Sequence, residues 1–221
     1  MFASVATNTK GMTMHKGFLI SFEGGEGGGK STQIVRLRER LSKQGFDVVV
    51  LREPGGTPIS EQIRDVVLSA KNIGIAYTTE VLLFQAARAQ LYREIVLPSL
   101  EAGKIVLMDR TRDSSVVYQG IVRGFGRELI EQLNNISTKQ TYPNITLLLD
   151  VDVKTGLNRQ IEAGGVNRFE MENTKFHDEV RKAYLSLAKE DDKRWIIIDA
   201  NKPLDAVEEL IWKHIAKALQ T

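Results

Sequence analysis

Short apolar runs alternate with longer amphipathic segments along this chain. The runs are almost entirely apolar, as expected for strands that are covered on both faces. Regular alternation of strands and helices predicts an α/β fold, with a five-stranded parallel sheet and helices on both of its faces. The predicted strands are Phe18–Glu23, Asp47–Glu53, Lys104–Asp109, Asn144–Asp150 and Trp195–Asp199.

Between the strands, the apolar residues recur at helical spacing. Gly45 and Gly103 each follow one of these segments, where a left-handed residue commonly ends a helix. The pattern has no internal repeat and no low-complexity linker. The predicted helices are Ser31–Gln44, Ser60–Leu68, Thr79–Leu100, Arg127–Ile136, Val153–Glu162, Thr174–Glu190 and Leu204–Leu219.

Every predicted strand ends in an acidic residue: Glu23, Glu53, Asp109, Asp150 and Asp199. Ligands of open α/β sheets bind at the carboxyl ends of the strands, so these acids are candidate site residues. Alternatively, acids at these positions begin the following loops and cap helices. That alternative is equally good for Asp150 and is favoured for Asp199.

A glycine-rich loop follows the first strand and fits the phosphate-binding pattern G-x-x-x-x-G-K-[ST]. Its main-chain N–H groups are expected to converge on phosphate oxygens at a helix N-terminus. Lys30 would reach the β- and γ-phosphates, and Ser31 would bind Mg²⁺. A merely flexible loop is the alternative, but the flanking strand and helix argue against it. The candidate ATP-binding residues are Gly24, Gly25, Glu26, Gly27, Gly28, Gly29, Lys30, Ser31 and Thr32.

The loop alone indicates only a protein that binds a nucleoside triphosphate: a switch GTPase, an ATPase or a small-molecule kinase. A GTPase needs an N-K-x-D motif, but residues 201–204 read Asn-Lys-Pro-Leu, which predicts a turn before the last helix. No D-x-x-G motif follows the second strand. The many arginines of the second half favour phosphoryl transfer between two anions.

Two residue pairs are candidates for the second substrate. Asp109 ends a strand, where it can hold Mg²⁺ through water, and Arg110 beside it can bind a phosphate in bidentate fashion. Phe84 and Arg88 are four residues apart on a predicted helix and share a face. They could stack on a flat base and hydrogen-bond its edge, although spacing alone favours a core Phe beside a solvated Arg.

From about residue 16 onward, a series of motifs together resembles the thymidylate kinase family of P-loop nucleoside monophosphate kinases, in its bacterial form. The R-E-P-G-G-T and S-S-x-x-Y-Q-G runs are the most specific of them. The matching runs are Phe22-Glu23-Gly24, residues 52–57, residues 80–88, Asp109-Arg110, Ser114-Ser115, Tyr118-Gln119-Gly120, Arg123-Gly124 and residues 168–170.

This resemblance implies transfer of the γ-phosphate of ATP to thymidylate (dTMP), giving dTDP, with Mg²⁺ as cofactor. It implies that Phe84 stacks on thymine, Arg88 binds its O4 edge, and Ser115 and Gln119 contact the base. It also implies that Arg110 and Arg64 bind the 5′-phosphate and that Glu26 lies near the 3′-hydroxyl. Tyr118 would crowd the 2′ side of the sugar, and Glu53 would orient the arginines.

The family's lid is expected at about residues 159–173. Arg159 and Arg168 are its candidates for contact with the γ-phosphate, and Gly164 and Gly165 would form its hinge or tip. With Lys30, Arg110 and Asp109, Arg159 completes the predicted catalytic set. The chain departs from the family pattern at Ile161, Ala163, Asn167 and Thr111, which leaves the lid chemistry open.

Composition limits the alternatives. The chain of 221 residues has a formal net charge of +2 and no basic run, so neither a nucleic-acid-binding surface nor a second large domain is expected. It has no cysteine, and its apolar runs are too short to cross a membrane. We expect residues 1–15 to be a disordered leader or tag and residues 16–221 to be one cytoplasmic kinase domain.

Some questions stay open at this stage. The resemblance implies a homodimer, but no apolar stripe in the sequence requires one. A kinase for another nucleoside monophosphate is the first alternative, and a P-loop ATPase or switch protein is the second. Tolerance of deoxyuridylate, the use of donors other than ATP and the role of Asp150 are not determined by the sequence.

Overall fold

The computed structural model describes residues 17–162, 168–169 and 171–219. Five parallel strands form its sheet, in the order β2-β3-β1-β4-β5. The α/β prediction is confirmed, and each predicted strand is present to within one residue at either end. The strands are β1 (Phe18–Glu23), β2 (Val48–Arg52), β3 (Ile105–Asp109), β4 (Ile145–Asp150) and β5 (Trp195–Asp199).

Helices cover both faces of this sheet. Gly45 and Gly103 have φ angles of 87° and 75°, so both adopt the predicted left-handed conformation. None of the described helices is long and apolar enough to cross a membrane. The helices are α1 (Lys30–Lys43), α2 (Pro58–Leu68), α3 (Tyr77–Leu91), α4 (Leu97–Glu101), α5 (Arg112–Ser115), α6 (Arg127–Thr138), α7 (Val153–Glu162), α8 (Thr174–Glu190) and α9 (Leu204–Ala218).

The core lies in layers on the two faces of the sheet. One layer joins β1, β3 and β4 to α1 and α9, with Leu37 and Ile211 among its buried residues. On the other face, a second layer joins β4 and β5 to α8. Strand β1 lies in the middle of the sheet and is buried from Leu19 to Glu23. Because both faces of β1 are covered, its carboxyl end is held rigidly.

The helix predicted over Thr79–Leu100 is interrupted. Helix α3 passes into a π-helical turn, Tyr92–Val96, and continues as α4. Pro98 lies in the first turn of α4 and has no N–H to donate to the carbonyl four residues earlier, so the helical hydrogen-bond pattern must change near it. The turn places the buried Tyr92 under the carboxyl ends of the strands.

Helix α5 and the π-helical segment that follows it, Val116–Val122, were not predicted as helical. The residues from Val116 to Gly120 are all buried, so the segment has no polar face and shows no helical period in the sequence. Its two consecutive valines also favour strand over helix. Burial of its first five residues therefore concealed the segment that carries Tyr118 and Gln119.

Candidate active site

The carboxyl ends of β1, β2 and β3 open into a cavity of about 760 Å³. The phosphate-binding loop, residues 24–31, forms one side of it, and residues of α3, α5 and the segment after α5 form the other. Gly24 and Gly25 do not line the cavity. Arg168 and the strand-end acids Glu23, Asp150 and Asp199 do not line it either. The other predicted site residues do: Glu26, Gly27, Gly28, Gly29, Lys30, Ser31, Thr32, Glu53, Arg64, Phe84, Arg88, Asp109, Arg110, Ser115, Tyr118, Gln119 and Arg159.

The phosphate-binding loop is built by main-chain geometry. Gly27 and Gly29 have φ angles of 64° and 82°, which side chains disfavour. A Cβ atom added to Gly27 would lie 1.9 Å from the carbonyl oxygen of Gly156 in α7, so only glycine fits there. The loop therefore packs directly against the α7 backbone.

Lys30 folds back over the loop. Its Nζ donates to the carbonyl oxygens of Gly25, at 2.7 Å, and Gly24, at 3.2 Å. Burial and the nearby charge of Arg110 lower the pKa of Lys30, against the opposing effect of Glu26 and the acids at the strand ends. Among the described residues its hydrogen-bond partners are carbonyl oxygens, and a buried cation of this kind is well placed to bind an anion that enters the loop.

Ser31 and Asp109 are suited to hold Mg²⁺. The Ser31 hydroxyl donates to Asp109 Oδ2 over 2.6 Å, and both side chains face the cavity beside the loop. Their oxygens are the ligand type that Mg²⁺ prefers. Across the described ranges there is no cluster of three or more His, Asp or Glu side chains that could hold a metal. A magnesium ion here would therefore complete its shell with phosphate oxygens and water, as Mg²⁺ commonly does.

Arg110 crosses the cavity toward the loop. Its φ of 66° is left-handed, which is uncommon for a residue with a side chain and is found where function holds a strained backbone. The guanidinium donates to Glu26 Oε1 over 2.8 Å and to the Gly24 carbonyl over 3.0 Å. Its carbon lies 5.3 Å from the ring centre of Tyr118. Arg110 thus faces the loop and the far side of the cavity together.

Glu26 is an ionised carboxylate in this arrangement. Burial acts to raise the pKa of Glu26, but the charges of Arg110 and Lys30 outweigh it and hold the pKa below its ordinary value. The Tyr118 hydroxyl donates to the same carboxylate over 3.4 Å. Glu26 therefore presents a fixed acceptor at the boundary between the loop and the rest of the cavity.

Arg88 is held on the far side of the cavity by four hydrogen bonds, and only 1% of its surface is exposed. Nε donates to Glu53 Oε2 over 2.6 Å, and Nη2 donates to the carbonyl oxygen of Thr111 over 3.2 Å. Nη1 donates to Ser115 Oγ and Asn134 Oδ1. Within the described ranges these bonds use four of the five guanidinium N–H groups, which leaves one on Nη2 for a ligand.

The spacing of Phe84 and Arg88 favoured a solvated arginine, and that interpretation is wrong because Arg88 is buried against Glu53. Phe84 is half-buried, lines the cavity, and meets the ring of Phe169 edge to face at 5.9 Å. Phe169 in turn meets Tyr118 at 5.7 Å. Three aromatic rings therefore form a wall beside Arg88.

Arg64 and Gln119 complete the predicted far side. Arg64 donates to the Pro54 carbonyl over 2.6 Å, and burial together with the neighbouring Arg52 lowers the pKa of Arg64. Gln119 is buried and donates to Glu80 Oε1 over 2.7 Å. The arginine therefore stands at the open edge of the cavity, while the glutamine stands deep within it.

Glu23 was noted as a strand-end acid, without a role, and it proves to be fully buried beneath the cavity. It accepts hydrogen bonds from the main-chain N–H of Thr111 and from the hydroxyls of Ser114 and Tyr184, at 2.8, 2.6 and 2.8 Å. Burial, with the charge of Asp113, raises the pKa of Glu23 to about 7. The charge of Arg110 and the hydrogen bonds from the hydroxyls act in the opposite direction and lower the pKa of Glu23 in part. Glu23 therefore interacts with the segment that carries Arg110.

Sequence reasoning missed three more contributors. Phe169 completes the aromatic wall, Thr111 bonds to both Arg88 and Glu53, and Asn134 of α6 supports Arg88 from behind. Thr111 had been noted only as a departure from the family pattern. Asn134 left no signal, because a polar residue on an amphipathic helix is usually solvated.

The structure corrects the expectation for Arg168. It was a candidate for contact with the γ-phosphate, yet it is buried, forms an ion pair with Glu80 at 2.7 Å and donates to the carbonyl oxygen of Val67. Those partners lie on α3 and at the end of α2, beside the aromatic wall. Arg159 instead donates to the carbonyl oxygens of Ala200, at 3.1 Å, and Gly27, at 3.5 Å, beside the loop.

The other lid positions are only partly visible. Ile161 is exposed at the end of α7. Ala163, Gly164, Gly165 and Asn167 lie outside the described residues, so the predicted hinge stays a prediction.

Two strand-end acids have structural partners. Asp150 receives two hydrogen bonds from Arg181, at 2.6 and 3.0 Å. Asp199 accepts from the main-chain N–H of Asn201 over 3.1 Å, in the turn that precedes α9. The contact of Asp199 agrees with the alternative that such acids begin the loops after the strands, whereas Asp150 is paired with an arginine of α8.

Comparisons with known proteins agree on one family. The sequence profile described as thymidylate kinase matches residues 22–211. The chain is similar to the thymidylate kinase of Pelobacter propionicus, with 43% identity over 210 residues, which cover 92% of this chain and 94% of that protein. It is also similar to the thymidylate kinase of Geobacillus sp., with 44% identity over 194 residues, covering 87% and 92% of the two chains.

A solved structure supports the same relationship. The crystal structure of thymidylate kinase from Ehrlichia chaffeensis matches with a TM-score of 0.73 and 33% identity. The match covers 90% of this chain and 98% of that one.

Proposed function

The chain belongs to the thymidylate kinase family, and from that premise we propose which of its residues carry out the transfer of the γ-phosphate of ATP to dTMP. It is an ATP-dependent phosphotransferase that forms dTDP. The observation that carries the residue assignment is the single cavity shared by the phosphate-binding loop, Arg110 and Arg88. We call the loop side the donor side and the opposite side the acceptor side.

On the donor side, the main-chain N–H groups of residues 24–32 hold the ATP phosphates, and Lys30 binds the β- and γ-phosphates. Ser31 and Asp109 hold Mg²⁺, which neutralises phosphate charge when it is bound. Their 2.6 Å separation supports this pairing. Arg159 approaches the γ-phosphate from α7, beside Gly27.

On the acceptor side, Arg110 and Arg64 bind the 5′-phosphate of dTMP. Glu26 accepts a hydrogen bond from the 3′-hydroxyl of the sugar, and its ionised state and contact with Arg110 support this role. Tyr118 crowds the 2′ position and thereby favours deoxyribose. Arg110 bridges both sides, since it contacts the loop carbonyl of Gly24 as well.

The base lies deepest. Phe84 stacks on thymine, and Arg88 donates its remaining N–H to the O4 edge. Ser115 and Gln119 contact the base from the segment after β3. Glu53 orients Arg88 rather than touching the substrate, which the 2.6 Å contact between them supports.

The chemistry needs charge neutralisation more than proton transfer. The acceptor phosphate is an anionic nucleophile at neutral pH, and repulsion between two polyanions opposes its approach. Lys30, Arg110 and Arg159 reduce that repulsion, and the base contacts fix the line of attack. Losing one such donor typically costs about 2–4 kcal/mol in the barrier, or roughly 100-fold to 1,000-fold in rate.

We further propose that residues 16–221 form one kinase domain whose lid spans about residues 159–173, after a leader or tag at residues 1–15. A homodimer in the cytoplasm is also proposed. Exposed apolar side chains on the adjacent helices α2 and α3 support an interface there, among them Ile59, Val66 and Leu82.

Arg88→Lys tests the acceptor assignment while keeping a cation beside Glu53. We expect KM for dTMP to rise by about 10-fold or more, because a lysine cannot reproduce the planar fork of donors. KM for ATP should change by less than about threefold, because Arg88 lies on the acceptor side. Steady-state kinetics with each substrate varied in turn measures both.

Arg93→Ala is the matched control, since Arg93 is exposed just beyond the same helix. Equal changes in both KM values for Arg88→Lys would remove Arg88 from the base site. A panel of dTMP, uridylate, cytidylate and guanylate at one ATP concentration, with a sample lacking any acceptor, tests the alternatives. Hydrolysis of ATP at the same rate without an acceptor would point to an ATPase instead.

A further inference from the structure

We propose that Thr111 is a positioning residue, whose hydroxyl and carbonyl hold Arg88 and Glu53 in the one arrangement that presents Arg88 to the base. This inference rests on the proposed role of Arg88 in binding thymine. Thr111 is itself fully buried at the floor of the cavity, directly after Arg110.

Thr111, Glu53 and Arg88 form a closed ring of hydrogen bonds. Arg88 Nη2 donates to the Thr111 carbonyl over 3.2 Å, and Arg88 Nε donates to Glu53 Oε2 over 2.6 Å. The Thr111 hydroxyl closes the ring by donating to Glu53 Oε1 over 3.3 Å. The guanidinium plane is thereby fixed at two nitrogens by two partners that also hold each other.

A further hydroxyl fixes the direction of the donors. Tyr92 lies 2.8 Å, oxygen to oxygen, from Thr111. Glu53 is paired with the Arg88 guanidinium, and as a carboxylate it only accepts. The single hydroxyl proton of Thr111 therefore goes to Glu53, and the Tyr92 hydroxyl donates to Thr111. The order Tyr92 to Thr111 to Glu53 leaves Glu53 Oε2 for Arg88.

The main chain of Thr111 is anchored to the centre of the sheet. Its N–H donates to Glu23 over 2.8 Å, and the N–H of Arg110 donates to the Phe22 carbonyl over 3.0 Å. Both acceptors belong to the end of β1, which is buried on both faces. Thr111 therefore connects Arg88, through hydrogen bonds, to the same rigid strand end that fixes Arg110. Arg110 is the proposed ligand of the 5′-phosphate.

Burial around Glu53 increases the importance of the hydrogen bond from the Thr111 hydroxyl. Burial raises the pKa of Glu53, while Arg88 and the hydrogen bond from Thr111 act to lower it. Little solvent reaches this carboxylate to replace a lost donor, since Glu53 is only 6% exposed and Thr111 is fully buried. Removal of one hydroxyl therefore weakens the partner that orients Arg88.

The test uses Thr111→Val, which removes the hydroxyl and keeps the shape. We expect KM for dTMP to rise by roughly 10-fold, in the range for loss of a hydrogen bond to a charged group. KM for ATP should stay within about twofold and kcat within about threefold, because the donor side is untouched. Thr111→Ser restores the hydroxyl and should return KM for dTMP to within about twofold of the original value.

Thr146→Val is the matched control. Thr146 is also buried and donates to a carboxylate paired with an arginine, namely Asp113 with Arg194, at 3.2 Å. It lies in β4 and does not line the cavity. A rise in KM for dTMP with Thr146→Val equal to that with Thr111→Val would overturn the proposal, because the effect would then be a general loss of stability.

The double variant Thr111→Val/Arg88→Lys separates this inference from the proposed function. If Thr111 acts through Arg88, the double variant should raise KM for dTMP little more than Arg88→Lys alone. Effects that multiply independently would overturn the positioning role but keep Arg88 at the base. If Arg88→Lys has no effect on KM for dTMP, the site assignment itself fails.

Tyr92→Phe keeps the proposal testable if Thr111→Val does not fold. It removes only the donor to the Thr111 hydroxyl, so KM for dTMP should rise by about twofold to threefold, without a change in KM for ATP. An unchanged KM for dTMP in a folded Tyr92→Phe protein would count against the relay and overturn the proposed order of donors.

Discussion

The donor and acceptor sides of the cavity are built in different ways. The donor side comes mainly from one continuous segment, residues 24–32, which follows β1 and runs into the first turn of α1; Asp109 and Arg159 lie beside it. Main-chain atoms shape it, and Gly27 fits only because it lacks a side chain. The acceptor side collects side chains from β2, α2, α3 and the helical segments after β3. Local geometry makes one half of the site, and tertiary packing makes the other.

The two sides also differ in where they place charge. Of the residues that the structure describes, the donor side buries one cation, Lys30, against carbonyl oxygens. In the described part of the chain, the acceptor side pairs Arg88 with Glu53 and Arg110 with Glu26 through hydrogen bonds, and Glu23 lies fully buried beneath them. A network of that kind is rigid when complete and costly when one member is lost. We therefore expect a substitution on the acceptor side to disturb the hydrogen-bonded neighbours of the residue that is changed.

Lys30→Ala should give the largest effect and tests the donor side. Turnover is expected to fall by about 1,000-fold or more, because the cation that stabilises the β- and γ-phosphates is lost. The fold should survive, since the hydrogen bonds of Lys30 within the described ranges go to carbonyl oxygens of its own loop. Single-turnover kinetics measures the rate, and circular dichroism checks the fold.

Lys43→Ala provides the control, because Lys43 is exposed at the end of the same helix. Turnover near the normal rate in folded Lys30→Ala protein would mean that the loop does not act through this cation.

Gly27→Ala should come next and tests whether the donor side depends on backbone geometry. The left-handed conformation alone costs an alanine about 1–3 kcal/mol, and its Cβ would lie 1.9 Å from the Gly156 carbonyl. We expect a lower unfolding free energy in urea and a KM for ATP raised about 10-fold as the loop shifts. Gly25→Ala places its Cβ in open space and should cost clearly less. Equal costs at the two glycines would contradict a backbone-made donor side.

Glu23→Gln should have the smallest effect and tests the acceptor side through pH. The pKa of Glu23 is raised from 4.5 to about 7, so the folded protein binds its proton more tightly than the unfolded chain does. That stabilisation is full below pH 4.5 and is lost as the pH rises through about 7. The slope is at most about 1.4 kcal/mol per pH unit for one proton.

Urea unfolding at pH values from 5 to 8 measures this effect. The original protein should lose stability with rising pH relative to Glu23→Gln, in which residue 23 no longer titrates. Glu39→Gln, at an exposed position on α1, is the control and should leave the pH slope unchanged. Parallel slopes for the original protein and Glu23→Gln would show that Glu23 is not the source.

The difference between the two sides also explains which parts of the site could be predicted from the sequence. The phosphate-binding loop was located residue by residue, because a contiguous motif needs no knowledge of distant contacts. Ser31 was predicted as a Mg²⁺ ligand from the loop motif and Asp109 from its place at the end of a strand, and the structure brings the two side chains within 2.6 Å. Arg88 was identified through the resemblance, whereas spacing alone favoured a solvated arginine. Its partners, Glu53, Thr111 and Asn134, lie 35, 23 and 46 positions away along the chain.

By itself, the sequence determined the five strands, most of the helices and the donor loop. Hydrophobic periodicity and the conformational freedom of glycine depend on a few neighbouring residues, so both can be recognised directly in the sequence. Only the tertiary structure decided that Arg168 pairs with Glu80, that Glu23 is buried beneath Arg110, and that Thr111 joins Arg88 to Glu53. These pairings depend on which side chains come into contact after packing. Burial changes the partner that a charged or polar group prefers, and the neighbouring residues in the sequence do not indicate that partner.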